Sequence, residues 1–279
     1  MPASTKEGRA MWMRKYMRAF GVGLQSTMEY RADFLIGMLS AAFPILIQVF
    51  MWTAIYGGSG DTMMFNRSFA QMITYSVMAA IISRLVRTSF EYEVNDDIKN
   101  GGLSKYVIRP MGYLPYRMSC YLGQKAGQFV AAIGLLAAAL LVLGGVFHRS
   151  VVTLSGVLAF ISALMLAFVL NFMIFFCVGM WAFWLSEIGF LFEAVRIVFV
   201  VLSGGIFPLD IFGAPVQRVL TFLPFGYTVN FPVDVLTGVV YGADMLGGFA
   251  VQSVWIVLLT GLSALLWKIG SGKYLAAGG

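Results

Sequence analysis

Six long, mostly apolar stretches dominate this sequence and restrict it to a membrane-embedded fold. The longest uncharged run extends over 37 residues, from Ser150 to Ser186. A bilayer core about 30 Å thick takes a helix of roughly 20 apolar residues, whereas a barrel strand needs about 10. The pattern therefore predicts an all-α integral membrane protein with a single transmembrane domain over residues 1–279. Its six transmembrane helices are expected at residues 34–56, 68–90, 118–147, 151–184, 187–207 and 245–267.

The composition agrees with a membrane location. Charged residues make up 11% of the 279 residues and hydrophobic residues 59%, against about 25% and 45–50% in soluble domains. A water-soluble fold could not cover so much apolar surface with so few charges. The net charge of +6 is spread over the flanks of the apolar stretches, which disfavours nucleic acid as a partner.

The positions of the basic residues predict how the chain crosses the membrane. If the N-terminus is cytoplasmic, 16 of the 19 Lys and Arg residues fall on the cytoplasmic side, and Arg67, Arg149 and Arg218 fall outside. Lys and Arg are enriched in cytoplasmic loops. We therefore expect a multi-pass protein of the cell membrane with both termini in the cytoplasm.

Two further segments have patterns of their own. Residues 9–31 place aromatic and Met side chains on one arc of a helix and basic side chains on the other. This predicts an amphipathic helix in the cytoplasmic interface, in contact with membrane lipid. Residues 208–244 are apolar but contain four of the eight prolines, which a lipid-exposed spanning helix seldom tolerates. We expect two short re-entrant helices there, near 216–222 and 229–240; a plain extracellular loop is the alternative.

Residues suited to catalysis or metal binding are scarce. The chain has one histidine, His148, and two isolated cysteines, Cys120 and Cys177. These supply neither a metal site nor a His-based catalytic group. No G-x-x-x-x-G-K-[ST] phosphate-binding loop occurs. We therefore expect no enzymatic activity and no cofactor in this chain.

The predicted cytoplasmic loop between the second and third spans holds the most informative motif. It reads EYEVNDDIKNGGLSKYVIRPMGYLPYR over residues 91–117. Gly101 and Gly102 admit a tight turn, and Pro110 ends any helix that begins at Leu103. The loop therefore predicts a short helix that extends from the membrane. The apolar side chains of that helix are expected to bind in a groove on another protein.

This loop resembles the coupling region of the permease subunits of type-2 ATP-binding-cassette exporters. In that family an acidic stretch, a glycine turn and a Leu … Arg-Pro segment follow the second span, and residues 97–103 (DIKNGGL) and 108–110 (IRP) match them. Residues 203–209 (SGGIFPL) and 223–227 (LPFGY) are similar to the family's fifth-span exit and broken extracellular helix. Many members have a glutamate after the glycine turn, where this chain has Ser104 and Lys105. The chain is closer to the branch often paired with a second, different permease.

The resemblance implies a permease that exports a hydrophobic or amphipathic substrate, such as a drug, a peptide or a lipid-like molecule. ATP and Mg²⁺ would be bound by separate ATP-binding-cassette ATPase subunits, and a second copy or a related permease would complete a homodimer or heterodimer. In the loop, an apolar knob would contact the ATPase and charges would surround it; the knob residues are Leu103, Tyr106 and Val107, and the rim charges are Asp97, Lys99 and Arg109. The implied ATPase-coupling residues are Asp97, Lys99, Leu103, Tyr106, Val107, Arg109 and Pro110, and the extracellular re-entrant residues are Pro208, Pro224 and Tyr227.

Charge placement and the resemblance together favour the second and fifth spans as the transport path. Glu193 and Arg196 are three residues apart and share a helix face. Ionisable groups at this depth usually face protein or water. Asn171 is the one strongly polar residue of the fourth span. We therefore expect all three along the path; a satisfied ion pair near the inner headgroups is the alternative for Glu193 and Arg196.

Two other functions stay open on the sequence alone. A secondary transporter is expected to have inverted repeats and broken helices in both halves, whereas the broken segment here lies in the second half. A membrane assembly protein without transport activity is the other alternative.

Overall fold

The computed structural model describes residues 5–29, 36, 40, 42–57, 63–65, 67–104, 106, 112–147 and 154–273. Within these ranges the protein consists of helices and turns, with a single β-bridge between Met64 and Arg67. The prediction of an all-helical protein is confirmed for this part of the chain. The α-helices are α1 (Thr5–Glu29), α2 (Ala42–Ile55), α3 (Phe69–Val86), α4 (Phe90–Lys99), α5 (Tyr113–Phe147), α6 (Leu154–Met180), α7 (Gly189–Leu202), α8 (Ala214–Phe222), α9 (Asn230–Leu236) and α10 (Gly242–Ser271).

Three helical segments among the described residues are long and apolar enough to cross a membrane. They cover residues 69–99, which include α3 and α4, residues 155–183 and residues 242–271. The apolar helices α2 and α7 have 14 residues each, and α5 has 35, which corresponds to about 50 Å. Each of the six predicted spans thus contains a helix, and the number of helices that cross the bilayer stays a prediction.

Helix α6 packs against α4, α9 and α10. Its side chains Phe168, Phe172 and Phe176 are almost completely buried. The Phe172 ring stacks on the Phe90 ring of α4, with the ring centroids 4.5 Å apart. A helix that is apolar on all sides is typical of a position inside the protein, and the aromatic side chains of α6 accordingly form the core of this chain.

Helix α1 packs along α5. Ala19 lies on its buried side, whereas Met13 and Met17 are exposed next to Arg14 and Arg18. The free side of α1 therefore combines apolar and basic side chains, as an interfacial helix requires. Its place in the membrane interface stays a prediction, and residues 30 and 31 of the predicted helix lie outside the described residues.

The proline-rich segment 208–244 forms turns and short helices at the end of α3 that is remote from α4. Short 3₁₀ turns, Leu209–Ile211 and Phe225–Tyr227, directly follow Pro208 and Pro224 and precede α8 and α9. The Phe231 side chain of α9 packs on Gly248 of α10, where an added Cβ would lie 2.0 Å from the ring. The segment is therefore docked on α10, and its depth in the bilayer stays a prediction.

Candidate functional site

The apolar segment of residues 69–99 is interrupted at residues 87–89. Helix α3 ends at Val86 and α4 begins at Phe90, and Arg87 between them has the non-helical angles φ −50° and ψ 137°. The regular hydrogen bonds of the helix stop here, so the last carbonyl oxygens of α3 and those of the break have no helical donors. In a membrane such carbonyls must find other donors, because leaving one unsatisfied costs several kcal/mol.

Side chains from two other helices supply these donors. The Lys125 ammonium of α5 donates to the carbonyl oxygens of Leu85, at 2.7 Å, and Arg87, at 2.5 Å. The Asn171 amide of α6 donates to the Val86 carbonyl oxygen at 2.8 Å. Lys125 is 5% exposed and Asn171 is fully buried. The break is therefore stabilised by the packing of α5 and α6, whose buried side chains bind its carbonyl oxygens.

A chain of charges joins α4 to α7 directly below the break. The Arg196 guanidinium of α7 forms ion pairs with Glu91 of α4, at 2.5 Å, and with Glu193, at 3.0 Å. It also lies 3.5 Å from the Thr88 carbonyl oxygen. The Tyr92 hydroxyl donates to the Glu193 carboxylate at 2.6 Å. Since Glu91 is fully buried, this pairing fixes α4 against α7.

A cavity of about 680 Å³ opens beside the break, between α2, α3, α6 and α7. The structure brings the three predicted path residues, Asn171, Glu193 and Arg196, together on its wall. Pro44 and Gln48 of α2 also line the cavity. The ion pair of Glu193 and Arg196 is thus present and faces a cavity, and the assignment of these residues to a transport path stays a prediction.

The far end of α4 is fixed to the start of α5. The Arg117 guanidinium pairs with the carboxylates of Glu93 and Asp97, and the Tyr113 hydroxyl donates to Asp97 at 2.9 Å. The side chain of Asp97 is 17% exposed. Asp97 therefore orients α4 within this chain, in contrast to the free rim charge expected from the sequence.

The glycine turn that follows α4 folds back over Asp97. Gly101 has φ +75°, a left-handed conformation that favours glycine. A Cβ on Gly102 would lie 2.5 Å from the Asp97 carboxylate, and the Leu103 amide donates to the Asp97 carbonyl oxygen at 3.0 Å. Leu103 is consequently only 3% exposed. The expectation that Leu103 is an exposed apolar knob is corrected: the turn carries this side chain into the chain's own core.

The other predicted coupling residues differ in position. Lys99 is exposed at the end of α4. Tyr106 is half-buried, with its ring centroid 4.9 Å from that of Tyr113 and 5.2 Å from that of Tyr116. Val107, Arg109 and Pro110 lie outside the described residues.

A second polar cluster closes the opposite end of α3. Arg67 is buried and pairs with Asp210, at 2.6 Å, and Asp234, at 2.8 Å. The Tyr75 hydroxyl donates to the Gly204 carbonyl oxygen at 2.7 Å, in the turn that ends α7. The cluster ties the start of α3 to the segment 208–244.

Of the predicted re-entrant residues, Tyr227 makes specific contacts. Its hydroxyl donates to the Thr221 carbonyl oxygen at 2.9 Å, and its own carbonyl oxygen accepts from Gln252 of α10 at 2.9 Å. Pro208 and Pro224 begin the two 3₁₀ turns described above. Among the described residues, no group of three or more His, Cys, Asp and Glu side chains comes together as a metal site requires.

The sequence interpretation missed Glu91, Lys125 and helix α4. Phe90, Val94 and Ile98 recur every four residues, which is a helical signal, and it places Glu91 beside the buried face. Lys125 is one of the 16 basic residues that the charge pattern places on the cytoplasmic side. No sequence pattern shows that its long side chain ends on the carbonyl oxygens of a broken helix.

The comparison with known families agrees with this architecture. The family model described as "ABC-2 family transporter protein" matches residues 42–278, a range that contains the break, the cavity and the segment 208–244. No curated protein matches the chain. The match covers most of the sequence, so the chain belongs to the ABC-2 transporter family and is a transmembrane permease of an ABC transporter.

Proposed function

We infer that this permease exports an amphipathic or hydrophobic substrate from the cytoplasm, driven by ATP hydrolysed on separate ATPase subunits. The observation that carries this proposal is the helix break at residues 87–89. It joins α4 to α5, α6 and α7 beside a cavity. A displacement of α4 must change the hydrogen bonds of Lys125, Asn171 and Arg196. Motion of α4 in the cytoplasm would thereby move the cavity wall.

The proposed topology has six spans, formed by α2, α3, α5, α6, α7 and α10. Both termini and α4 are then cytoplasmic, and the segment 208–244 is extracellular. The distribution of 16 of 19 basic residues to the α4 side supports this orientation in the cell membrane. Helix α1 is proposed to lie in the cytoplasmic interface, where its exposed Met and Arg side chains meet lipid.

The ATPase is proposed to contact Lys99 and residues 105–110, while Asp97 and the buried Leu103 attach α4 and its following turn to the rest of this chain. The exposure of Lys99 and the pairing of Asp97 with Arg117 support this division of roles. ATP and Mg²⁺ belong to the partner subunit. Because Arg117 and Arg196 hold α4 at its two ends, a displacement of α4 by the ATPase would move the attached helices and would not merely bend α4.

The transport path is proposed to run through the cavity lined by Asn171, Glu193 and Arg196. A second permease, either a copy of this chain or a related one, completes the path. Phe43, Ile47 and Phe50 on α2 are strongly exposed and give such a partner an apolar surface. The cavity wall is largely apolar, which suits an amphipathic substrate.

Purification of the tagged chain from its native membranes in mild detergent tests this proposal. We expect an ATP-binding-cassette ATPase to co-purify and to hydrolyse Mg-ATP. Lys99→Glu should reduce its recovery, whereas Lys273→Glu, an exposed lysine after α10, should not. A chain that purifies alone and carries substrate across vesicles without ATP would refute the proposal and favour a secondary transporter.

A further inference from the structure

We propose that the cavity beside the break binds the anionic head group of an amphiphile through Arg84 and Arg87, with the hydrocarbon chain on the apolar wall. This deepens the proposed transport function and rests on it, because it names the chemical class that the path accepts. The inference comes from the charges, the unpartnered polar atoms and the apolar residues that line the cavity.

The charges of the cavity do not balance. Four ionisable side chains line it: Arg84, Arg87, Glu193 and Arg196. Arg196 is neutralised by Glu193 and by the buried Glu91. The three arginines and the two carboxylates therefore leave a net charge of +1 at the cavity. In the part of the chain that the structure describes, Arg84 and Arg87 form no ion pair, although Arg87 is near enough to Glu193 for their charges to interact.

Arg84 is half-buried and Arg87 is exposed at the cavity, and both differ from three other arginines of the described residues in having no carboxylate partner. Arg67, Arg117 and Arg196 each pair with two carboxylates. A charge in an apolar environment is costly unless it is paired or reaches water. A phosphate, sulfate or carboxylate group in the cavity would supply the missing counter-charge, and arginine binds such groups with paired hydrogen bonds.

The rest of the wall fits the remainder of an amphiphile. The Gln48 side chain is 7% exposed, and its carbonyl oxygen has no hydrogen-bond partner among the described residues. The hydroxyl of Ser83, one turn before Arg87, is likewise unpartnered there. Both residues line the cavity and offer hydrogen bonds to a polar linker. The apolar part of the wall contains Pro44, Phe175, Ile197, Phe199, Val200 and Ile206.

Binding of matched probes tests this inference on the purified full-length protein in a neutral detergent. The probes are dodecyl phosphate, dodecyltrimethylammonium, which has the same chain and the opposite charge, and methyl phosphate, which has the head group alone. We expect dodecyl phosphate to raise the thermal unfolding midpoint saturably, and the other two to have no such effect. Equal stabilisation by the cationic probe, or by methyl phosphate, would overturn the inference.

Variants locate the binding site. Arg84→Gln combined with Arg87→Gln should weaken dodecyl phosphate binding at least tenfold, as expected when hydrogen bonds to a charged group are lost. Arg84→Lys combined with Arg87→Lys should bind dodecyl phosphate more tightly than the glutamine double variant, because the charge is kept, but less tightly than the wild type, because the paired hydrogen bonds of arginine are lost. Arg218→Gln, at an exposed arginine of α8, is the control and should leave binding unchanged. Unchanged binding in the glutamine double variant would refute the assignment to this cavity.

The anion has two possible sources, the bilayer or the transported cargo. With the ATPase bound, a cargo-like anion should stimulate ATP hydrolysis, whereas a resident lipid such as phosphatidylglycerol should stay bound through the cycle without changing the rate. Either result supports an anion site. If the ATPase co-purifies but no anionic probe binds, this inference fails and the proposed function stands.

Discussion

Gly23 of α1 and Gly123 of α5 lie against each other's helix backbone. A Cβ on Gly23 would sit 1.9 Å from the Cys120 carbonyl oxygen, and a Cβ on Gly123 would sit 2.1 Å from the Phe20 carbonyl oxygen. Small residues allow this close approach of two helices in a membrane protein. Gly123 begins a Gly-x-x-x-Gly spacing, and its own close contact is with α1 of the same chain.

Alanine at Gly123 should therefore loosen α1 from α5. The added methyl group meets backbone on the facing helix, which cannot move aside as a side chain can, so we expect a loss of about 1–3 kcal/mol in the free energy of unfolding. Gly134→Ala is the matched control in the same helix, because nothing lies within 4 Å of its added Cβ. Thermal unfolding in detergent measures both variants, and equal midpoints would contradict the predicted contact.

Replacement of Lys125 tests the donors at the break. Lys125→Met keeps most of the side-chain volume but leaves the Leu85 and Arg87 carbonyl oxygens without their donor. We expect a cost of about 1–3 kcal/mol. Lys268→Met, at an exposed position of α10, should cost far less. The prediction fails if the two variants unfold at the same temperature.

The ion pair between Glu91 and Arg196 should show coupling in a double-mutant cycle. Glu91→Gln and Arg196→Gln each remove one charge of a pair whose acid is fully buried, so each single change is expected to destabilise the protein. The double variant should recover part of the loss, with an interaction free energy of about 0.5–3 kcal/mol. Losses that simply add would show that the two groups do not interact.

Stability should depend on pH through Asp234, which lies in α9 and outside the proposed spans. Burial raises the pKa of its carboxyl group from 3.8 to about 6, and the neighbouring Arg67 guanidinium opposes this rise without cancelling it. Because the folded chain then binds more protons than the unfolded chain between these two values, the stability contributed by this group falls as the pH rises from about 4 to about 6.

Asp234→Asn removes the titrating group and tests that dependence. The midpoint of the wild-type protein relative to the variant should decrease over this pH window and then level off. A constant difference across the window would contradict the raised pKa.

The all-helical character of the described residues could be predicted from the sequence, because long apolar stretches have few other folds in a membrane. Helix α4 could also have been predicted, since Phe90, Val94 and Ile98 have helical spacing. The burial of Leu103 could not be predicted from the sequence. An apolar residue in a charged loop is equally consistent with a partner surface and with the core, and only the fold of the Gly101–Gly102 turn decides between them.

The candidate site could be predicted only in part. Glu193 and Arg196 are close in sequence, so their pairing followed from helix geometry. The contact of Arg196 with Glu91, about a hundred residues earlier, depends on the packing of α4 on α7. The roles of Lys125 and Asn171 depend on carbonyl oxygens, which every residue has and no sequence distinguishes.

The most direct test of the central claim, that an ATPase drives this permease through α4, is photocrosslinking from position 99. A photoreactive amino acid is placed at Lys99 in the chain as it assembles in native membranes, and a second chain carries it at Arg218 as the control. The predicted result is a crosslink from position 99 to an ATP-binding-cassette ATPase and none from position 218. An assembled complex in which position 99 crosslinks only to lipid, while the ATPase is present and active, would contradict the claim.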